Sequence, residues 1–237
     1  MGPVSLRVLT WNLLHGRAVP PAGHELLDEF AQALADWSWD VALLQEVPPW
    51  WPALLGRRLA ADPRTVLTSR NSLLPLRRAI AVRWPDLIKS NGGGANAMLV
   101  RGERIEEHRT LRLRTWPERR WLQGARLSSG VWVGNLHATV RDSEGAVAEA
   151  HCAARALTGW AGADAAAVLG GDFNVRSLSL SREGFALAGG HGVDLVFARG
   201  LSATSQAEVL ERGRLSDHAP VAVTLDTAST QASAQAS

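Results

Sequence analysis

Eight side chains with carboxylate, amide or imidazole chemistry sit at the ends of apolar runs in this sequence: Asn12, Glu46, His137, Asp172, Asn174, Asp194, Asp217 and His218. The segment Leu169-Gly170-Gly171-Asp172-Phe173-Asn174 shows the pattern most compactly. It closes a small-apolar run, Ala165 to Leu169, that reads as a buried strand, and then presents a carboxylate and an amide two residues apart. At the period of a strand these two side chains point to the same side. The preceding glycines allow the backbone to come close to a ligand. A carboxylate and a carboxamide facing one spot suit a hard cation and the oxyanion it binds, although Asp and Asn also fill ordinary turns.

The other six residues extend the set. Asn12 ends a strand pattern over Val4 to Trp11, and Glu46 follows a short apolar run over Asp40 to Leu44. His137 ends the run from Val131, Asp194 opens the run Val193 to Phe197, and Asp217-His218 precede a last strand ending at Leu225. Each alone has an ordinary reading as a turn cap, a solvated strand end or a satisfied boundary histidine. Together they place polar groups where rigid strands meet free loops, which is where sites collect. Glu46, Asp172 and Asp217, with Asn12 and Asn174, form an oxygen-rich set suited to Mg²⁺ or Mn²⁺ and not to a cysteine-histidine zinc site. His137 and His218 add proton handling, and Asp194 is available to orient His218. The chemistry this set matches is metal-assisted hydrolysis of a phosphoester. A nucleophile elbow, a phosphate-cradling P-loop and a dinucleotide fingerprint are absent.

The elements that must position these groups follow from the hydrophobic pattern. Gly23 to Trp37 has the spacing of an amphipathic helix. A second helix is expected from Pro48-Pro49 through Leu59. Thr65 to Thr68 and Arg78 to Val82 read as short strands, and Ser90 to Gly94 as a flexible loop near a site. Ala95 to Arg101, Ile105 to Leu113, Trp121 to Leu127 and Val131 to His137 read as successive strands, the last two joined by a turn at Ser128-Ser129-Gly130. Ser143 to Ala161 reads as a helix with Ser143 as its cap, and a short segment follows near Arg182 to Ala188. This order predicts two packed sheets with helices outside. Residues 1–226 form the expected catalytic domain. The Ala/Ser/Gln/Thr stretch 227–237 is expected to be a disordered tail.

Composition limits the classes. The chain has 237 residues, is 46% hydrophobic and contains one cysteine, Cys152, so an internal disulfide is excluded. No run resembles a signal peptide or a membrane span, so a cytoplasmic location is expected; a monomer is expected as well. The net charge is only +2, but residues 57–126 hold sixteen basic against six acidic side chains. One reading is compositional bias; the other is a cationic wall beside an acidic centre, suited to a phosphorylated polyanion. Ten tryptophans and no tyrosine imply that most indoles are core or boundary residues.

Seven short segments, in order, resemble the endonuclease/exonuclease/phosphatase superfamily, whose members resemble DNase I and exonuclease III. They are Leu9-Thr10-Trp11-Asn12, Leu44-Gln45-Glu46-Val47, Gly94-Ala95-Asn96-Ala97, Asn135-Leu136-His137, Gly171-Asp172-Phe173-Asn174, Val193-Asp194-Leu195-Val196-Phe197 and Leu215-Ser216-Asp217-His218-Ala219-Pro220-Val221. The resemblance spans about residues 6 to 225. It implies a four-layer α/β sandwich of two mixed β-sheets with helices on the outer faces, and a Mg²⁺-dependent phosphoesterase, with Mn²⁺ as the alternative metal. By resemblance, Asn12, Glu46 and Asp217 lie at the metal, with Glu46 the main ligand. His137 contacts the scissile phosphate or assists the leaving group, Asp172 positions or deprotonates the attacking water, Asn174 holds phosphate or water, and Asp194 pairs with His218. The expected substrate is a phosphodiester, DNA or RNA first. The alternatives are a small phosphorylated metabolite, a lipid head group, or a non-catalytic binding role on the same fold.

Overall fold

The computed structural model describes residues 5–227. The expected tail therefore lies, beyond Thr227, outside the described residues. In chain order the elements are β1 (Ser5–Asn12), α1 (Leu27–Asp36), β2 (Val41–Val47), α2 (Trp51–Arg58), β3 (Asp62–Leu67), α3 (Leu74–Arg83), α4 (Pro85–Ile88), β4 (Ala95–Val100), β5 (Ile105–Arg114), β6 (Arg120–Leu127), β7 (Trp132–His137), α5 (Ser143–Ala161), β8 (Ala167–Asp172), β9 (Ala186–His191), β10 (Asp194–Arg199), β11 (Leu201–Ala203), β12 (Glu208–Val209) and β13 (Val221–Thr227).

Two mixed sheets result. One has the order β11-β13-β1-β2-β4-β3, with β12 also on β13; the other has the order β5-β6-β7-β8-β10-β9. Each sheet has a parallel pair at its centre, β1 with β2 and β7 with β8. The sheets face each other through Leu6, Val8, Leu43, Met98, Val133, Val168 and Val196, all buried. The outer face of the first sheet packs on α1 and α2 through Leu9, Trp11, Phe30, Leu34 and Trp51. The outer face of the second packs on α5 through Leu122, Leu136, Ala150, Ala154 and Leu157. The layers are therefore helix, sheet, sheet, helix. Strands buried on both faces read as continuous apolar runs, which is why the segments Asp40 to Leu44 and Ala165 to Leu169 read as short apolar strands.

Several sequence readings are corrected. Arg78 to Val82 is part of helix α3, not a strand; no residue of α3 is buried, so it has no core-facing stripe to set a period of 3.6. The 3-10 turn Lys89–Gly92 occupies most of the expected loop at Ser90 to Gly94. The cap of α5 is Asp142, whose side chain accepts from the Gly145 N–H, and not Ser143. The short segment near Arg182 to Ala188 divides into a 3-10 turn and strand β9.

The glycines at Gly170 and Gly171 serve the sandwich rather than a ligand. A Cβ on Gly170 would meet Leu43 Cδ1 of the opposite sheet at 2.8 Å, and one on Gly171 would meet the Leu136 carbonyl oxygen of β7 at 1.8 Å. Gly171 also has φ +148°, in the region that favours glycine. Gly171→Ala should therefore destabilise the fold by about 3 kcal/mol or more, through a backbone clash with no side chain to move aside. Urea unfolding checks this, and a midpoint equal to the parent's would contradict it.

Candidate active site

Polar side chains converge at one end of both sheets because the strands there end in register. In the second sheet His137 is paired with Asp172, and Asp172 with Asp194, so three neighbouring strands place these groups in one row. In the first sheet Asn12 is paired with Gln45. One residue later the β2–β4 pairing breaks between Leu44 and Val47, and Glu46 takes φ +51°. A bulge re-aims a side chain. Here it turns Glu46 out of the sheet and into the space between the two sheets' ends.

That space is a cavity of about 320 Å³ lined by Asn12, His15, Glu46, Arg120, His137, Asp172, Asn174, Asp217 and His218, among others. Seven of the eight residues singled out from sequence thus share one cavity. The eighth, Asp194, sits behind His218, with its Oδ2 2.8 Å from His218 Nδ1.

Hydrogen bonds fix Asp172 from two sides. Its Oδ2 accepts from Asn12 Nδ2 at 3.0 Å, and its Oδ1 accepts from the Asn174 N–H at 3.0 Å. The second bond is an Asx turn, and Asn174 lies in the left-handed region at φ +53°. The common side expected for Asp172 and Asn174 thus comes from a turn and not from strand alternation. Asn174 Nδ2 donates to the Ala138 carbonyl at 2.9 Å. The rings of His137 and His218 flank Asp172, with their Nε2 atoms 3.7 and 3.8 Å from Oδ2.

The environments push the titratable groups apart. Burial raises the Asp172 carboxyl above its usual range, against the pull of His218, Asn12 and the Asn174 N–H. Burial also lifts Asp194 to about 6. His218 moves up to about 9: burial disfavours its charge, but the hydrogen bond and charge of Asp194 outweigh that, helped by Asp172 and Asp217. His137 falls to about 3 through burial, with the Arg120 guanidinium acting the same way. Burial alone would raise Glu46, but the His15 bond and the rings of His15, His137 and His218 hold it well below the carboxylate range. The cavity thus holds an ionised Glu46, a neutral His137 and an imidazolium at His218.

Two contributors, His15 and Arg120, carried no signal in the sequence, and Ser216 stood out only as a member of the segment that holds Asp217. His15 stands 3.1 Å from Glu46 through Nε2 and 3.2 Å from the Gly93 carbonyl through Nδ1. It is placed by two consecutive left-handed residues, Leu14 and His15, which no hydrophobic pattern announces. Arg120 is buried, lines the cavity and donates to Glu118 at 2.8 Å. Ser216 is buried; its Oγ donates to the Asn12 carbonyl at 2.6 Å and accepts from the His218 N–H at 3.1 Å. Trp11 Nε1 donates to the His218 carbonyl at 3.0 Å. The loop bearing Asp217 and His218 is thus tied to β1. Beneath the cavity Gln45 Nε2 donates to Asn135 Oδ1 at 2.9 Å, joining the two sheets through buried amides.

Two donor groupings could hold a cation. Asp172, Asp194 and His218 offer atoms within 4.8 Å of one another. In that group His218 Nδ1 is engaged by Asp194 at 2.8 Å, which leaves Nε2 as its free ring nitrogen. The other is the carboxylate of Glu46 with the Asn12 side-chain oxygen and the exposed Asp217. It is oxygen-only and includes the most readily ionised carboxyl of the cavity. This set fits a hard divalent ion.

The sequence matches the model of the Endonuclease/Exonuclease/phosphatase family over residues 9–218. No curated protein matches the chain. Among solved structures, an endonuclease/exonuclease/phosphatase from Beutenbergia cavernae is 20% identical with a TM-score of 0.71, over 94% of this chain and 72% of that one. A family protein from Bacteroides thetaiotaomicron is 18% identical with a TM-score of 0.72, over 95% and 96%. A mannosyl-6-phosphatase from Bacteroides thetaiotaomicron is 17% identical with a TM-score of 0.70, over 93% and 99%. The four-layer arrangement is shared with all three, and the family match takes in every candidate residue from Asn12 to His218: the chain belongs to the endonuclease/exonuclease/phosphatase family.

Proposed function

We propose that this chain, with residues 1–226 as its catalytic unit, hydrolyses phosphodiester bonds with the help of a divalent cation. The observation that carries this reading is the pairing of two differently tuned halves across one cavity. An ionised Glu46 stands on the first sheet; Asp172, His137 and the His218–Asp194 pair stand on the second. Mg²⁺ or Mn²⁺ held by Glu46, Asn12 and Asp217 would polarise a phosphoryl oxygen and offset the charge that builds there.

The remaining steps belong to the chain's own groups. Asp172, fixed by Asn12 and Asn174, accepts a hydrogen bond from water and takes its proton as the water attacks phosphorus. Its raised affinity for a proton suits that role. The His218 imidazolium, oriented by Asp194, holds the phosphoryl oxygens. Neutral His137 donates a hydrogen bond to the phosphoryl group or the departing oxygen. Asn174, its amide engaged by Ala138, acts by positioning Asp172.

Substrate class is a separate matter. Eight of the sixteen basic side chains in residues 57–126 are ion-paired with carboxylates: Arg58, Arg64, Arg70, Arg104, Arg109, Arg114, Arg120 and Arg126. The stretch therefore does not present an unbroken cationic wall. No helix among the described residues is long and apolar enough to cross a membrane.

Turnover of bis-p-nitrophenyl phosphate tests the reading, alongside p-nitrophenyl phosphate, plasmid and single-stranded oligonucleotide. Activity should appear with Mg²⁺ or Mn²⁺, fall at least about 100-fold in EDTA and return when metal is restored. Turnover indifferent to EDTA, or none on any phosphoester, would overturn it.

A further inference from the structure

Between β3 and β4 the chain leaves the first sheet on an excursion that starts and ends beside the cavity. Asn71 clasps its two ends: its Nδ2 donates to the Gly94 carbonyl at 3.0 Å, and its Oδ1 accepts from the Gly94 N–H at 3.2 Å. Arg70 and Ser90 from this excursion line the cavity itself. Buried Pro85, and Asp86 accepting from the Gly23 N–H at 2.7 Å, hold one side to the body of the protein. The other side faces outward. Leu73 is 73% exposed, Leu76 57%, Trp84 52% and Leu87 77%, with Val82 also exposed. Trp116 is 81% exposed, on a loop joined to the excursion by the Arg70–Glu118 ion pair and by the Arg119 N–H donating to Ser69 Oγ at 2.7 Å.

The same surface is basic. Residues 70–93 contain five basic side chains and one acidic one. Arg70 is paired with Glu118, and Arg77 donates to the carbonyls of Ser72 and Asn91. Arg78, Arg83 and Lys89 have no carboxylate partner among the described residues. Aliphatic side chains exposed along α3 and α4, interleaved with unpaired cations and accompanied by exposed tryptophans, fit the boundary between anionic head groups and acyl chains. Single-stranded nucleic acid would use the two indoles and the cations, but Leu73, Leu76, Val82 and Leu87 have no flat face on which a base can stack. A second copy of the chain would bring the same unpaired cations against themselves.

We propose that the α3–α4 excursion docks this protein on an anionic lipid surface, and, resting on the phosphoesterase reading, that the phosphoester it hydrolyses is carried by a lipid of that surface. Docking by this face sets the cavity mouth, with Arg70 and Ser90 on its rim, against the head-group layer.

The test is co-sedimentation of the full chain with phosphatidylcholine vesicles, with and without phosphatidylglycerol. It is run on the parent and on Leu73→Ser/Leu76→Ser/Leu87→Ser, three exposed residues that do not line the cavity. The parent should bind the phosphatidylglycerol vesicles, less so as salt rises, and should not bind phosphatidylcholine alone. The variant should bind at least about tenfold more weakly, with bis-p-nitrophenyl phosphate turnover unchanged and release of phosphorylated head group from vesicles reduced. Absence of vesicle binding, or equal binding by parent and variant, would overturn the proposal. So would tight oligonucleotide binding, or self-association, that the same three substitutions abolish. Vesicle binding by a parent with no phosphoester turnover would uphold the docking and sink the phosphoesterase reading. Turnover without vesicle binding would do the reverse.

Discussion

Replacing Asp172 by asparagine is expected to lower kcat for bis-p-nitrophenyl phosphate by at least about 10³-fold, with KM little changed. The carboxylate is the proton acceptor in the proposed reaction, and the amide keeps its size but not its basicity. The fold should survive. Asp172 is buried and its carboxyl is already raised by that burial, so removing the charge relieves a desolvation cost. Against this, the amide can accept from only one of its present donors. If its oxygen stays with the Asn174 N–H, its NH₂ faces the NH₂ of Asn12, and a hydrogen bond worth about 1 kcal/mol is lost. The two effects oppose each other, so an unfolding midpoint close to the parent's should accompany the loss of rate. A variant with parental kcat would remove Asp172 from the chemistry.

Glu46→Gln should be nearly as damaging, by a different route. Activity at low Mg²⁺ should fall by at least about 100-fold, and raising the metal concentration should recover it only in part. Glu46 is presented by a bulge at positive φ and is kept ionised by the three histidines around it. Glutamine preserves the shape and one acceptor oxygen but not the charge, so the deficit should appear first as a weaker response to metal. Calorimetric titration with Mg²⁺ on the apo protein provides the readout that does not depend on turnover. Parental metal affinity in this variant would shift the cation to the Asp172, Asp194 and His218 grouping.

Much of this site could be read from the sequence because the residues that define it close apolar runs. Asn12, His137 and Asp172 end strands β1, β7 and β8, and Asp194 opens β10, so the hydrophobic pattern that marks a buried strand also marks its polar end. Their grouping at strand ends was legible, but not which strands become neighbours: β8 lies between β7 and β10, and β2 beside β1. What stayed hidden had no pattern to carry it. His15 depends on left-handed backbone at two residues, and the aim of Glu46, though not the residue itself, on a bulge between β2 and β4. Ser216 acts through two main-chain contacts that form only when β13 lies against β1. In helix α3 no residue is buried, so no core-facing stripe marks its period, and the short apolar run Ala79 to Val82 after Arg78 imitated a strand.

The most direct test of the account is a single comparison: bis-p-nitrophenyl phosphate turnover by the parent chain in Mg²⁺, in EDTA, and by Asp172→Asn in Mg²⁺. Release of p-nitrophenol is expected only from the parent with metal, with matching circular dichroism spectra for parent and variant. Equal turnover in all three would contradict it.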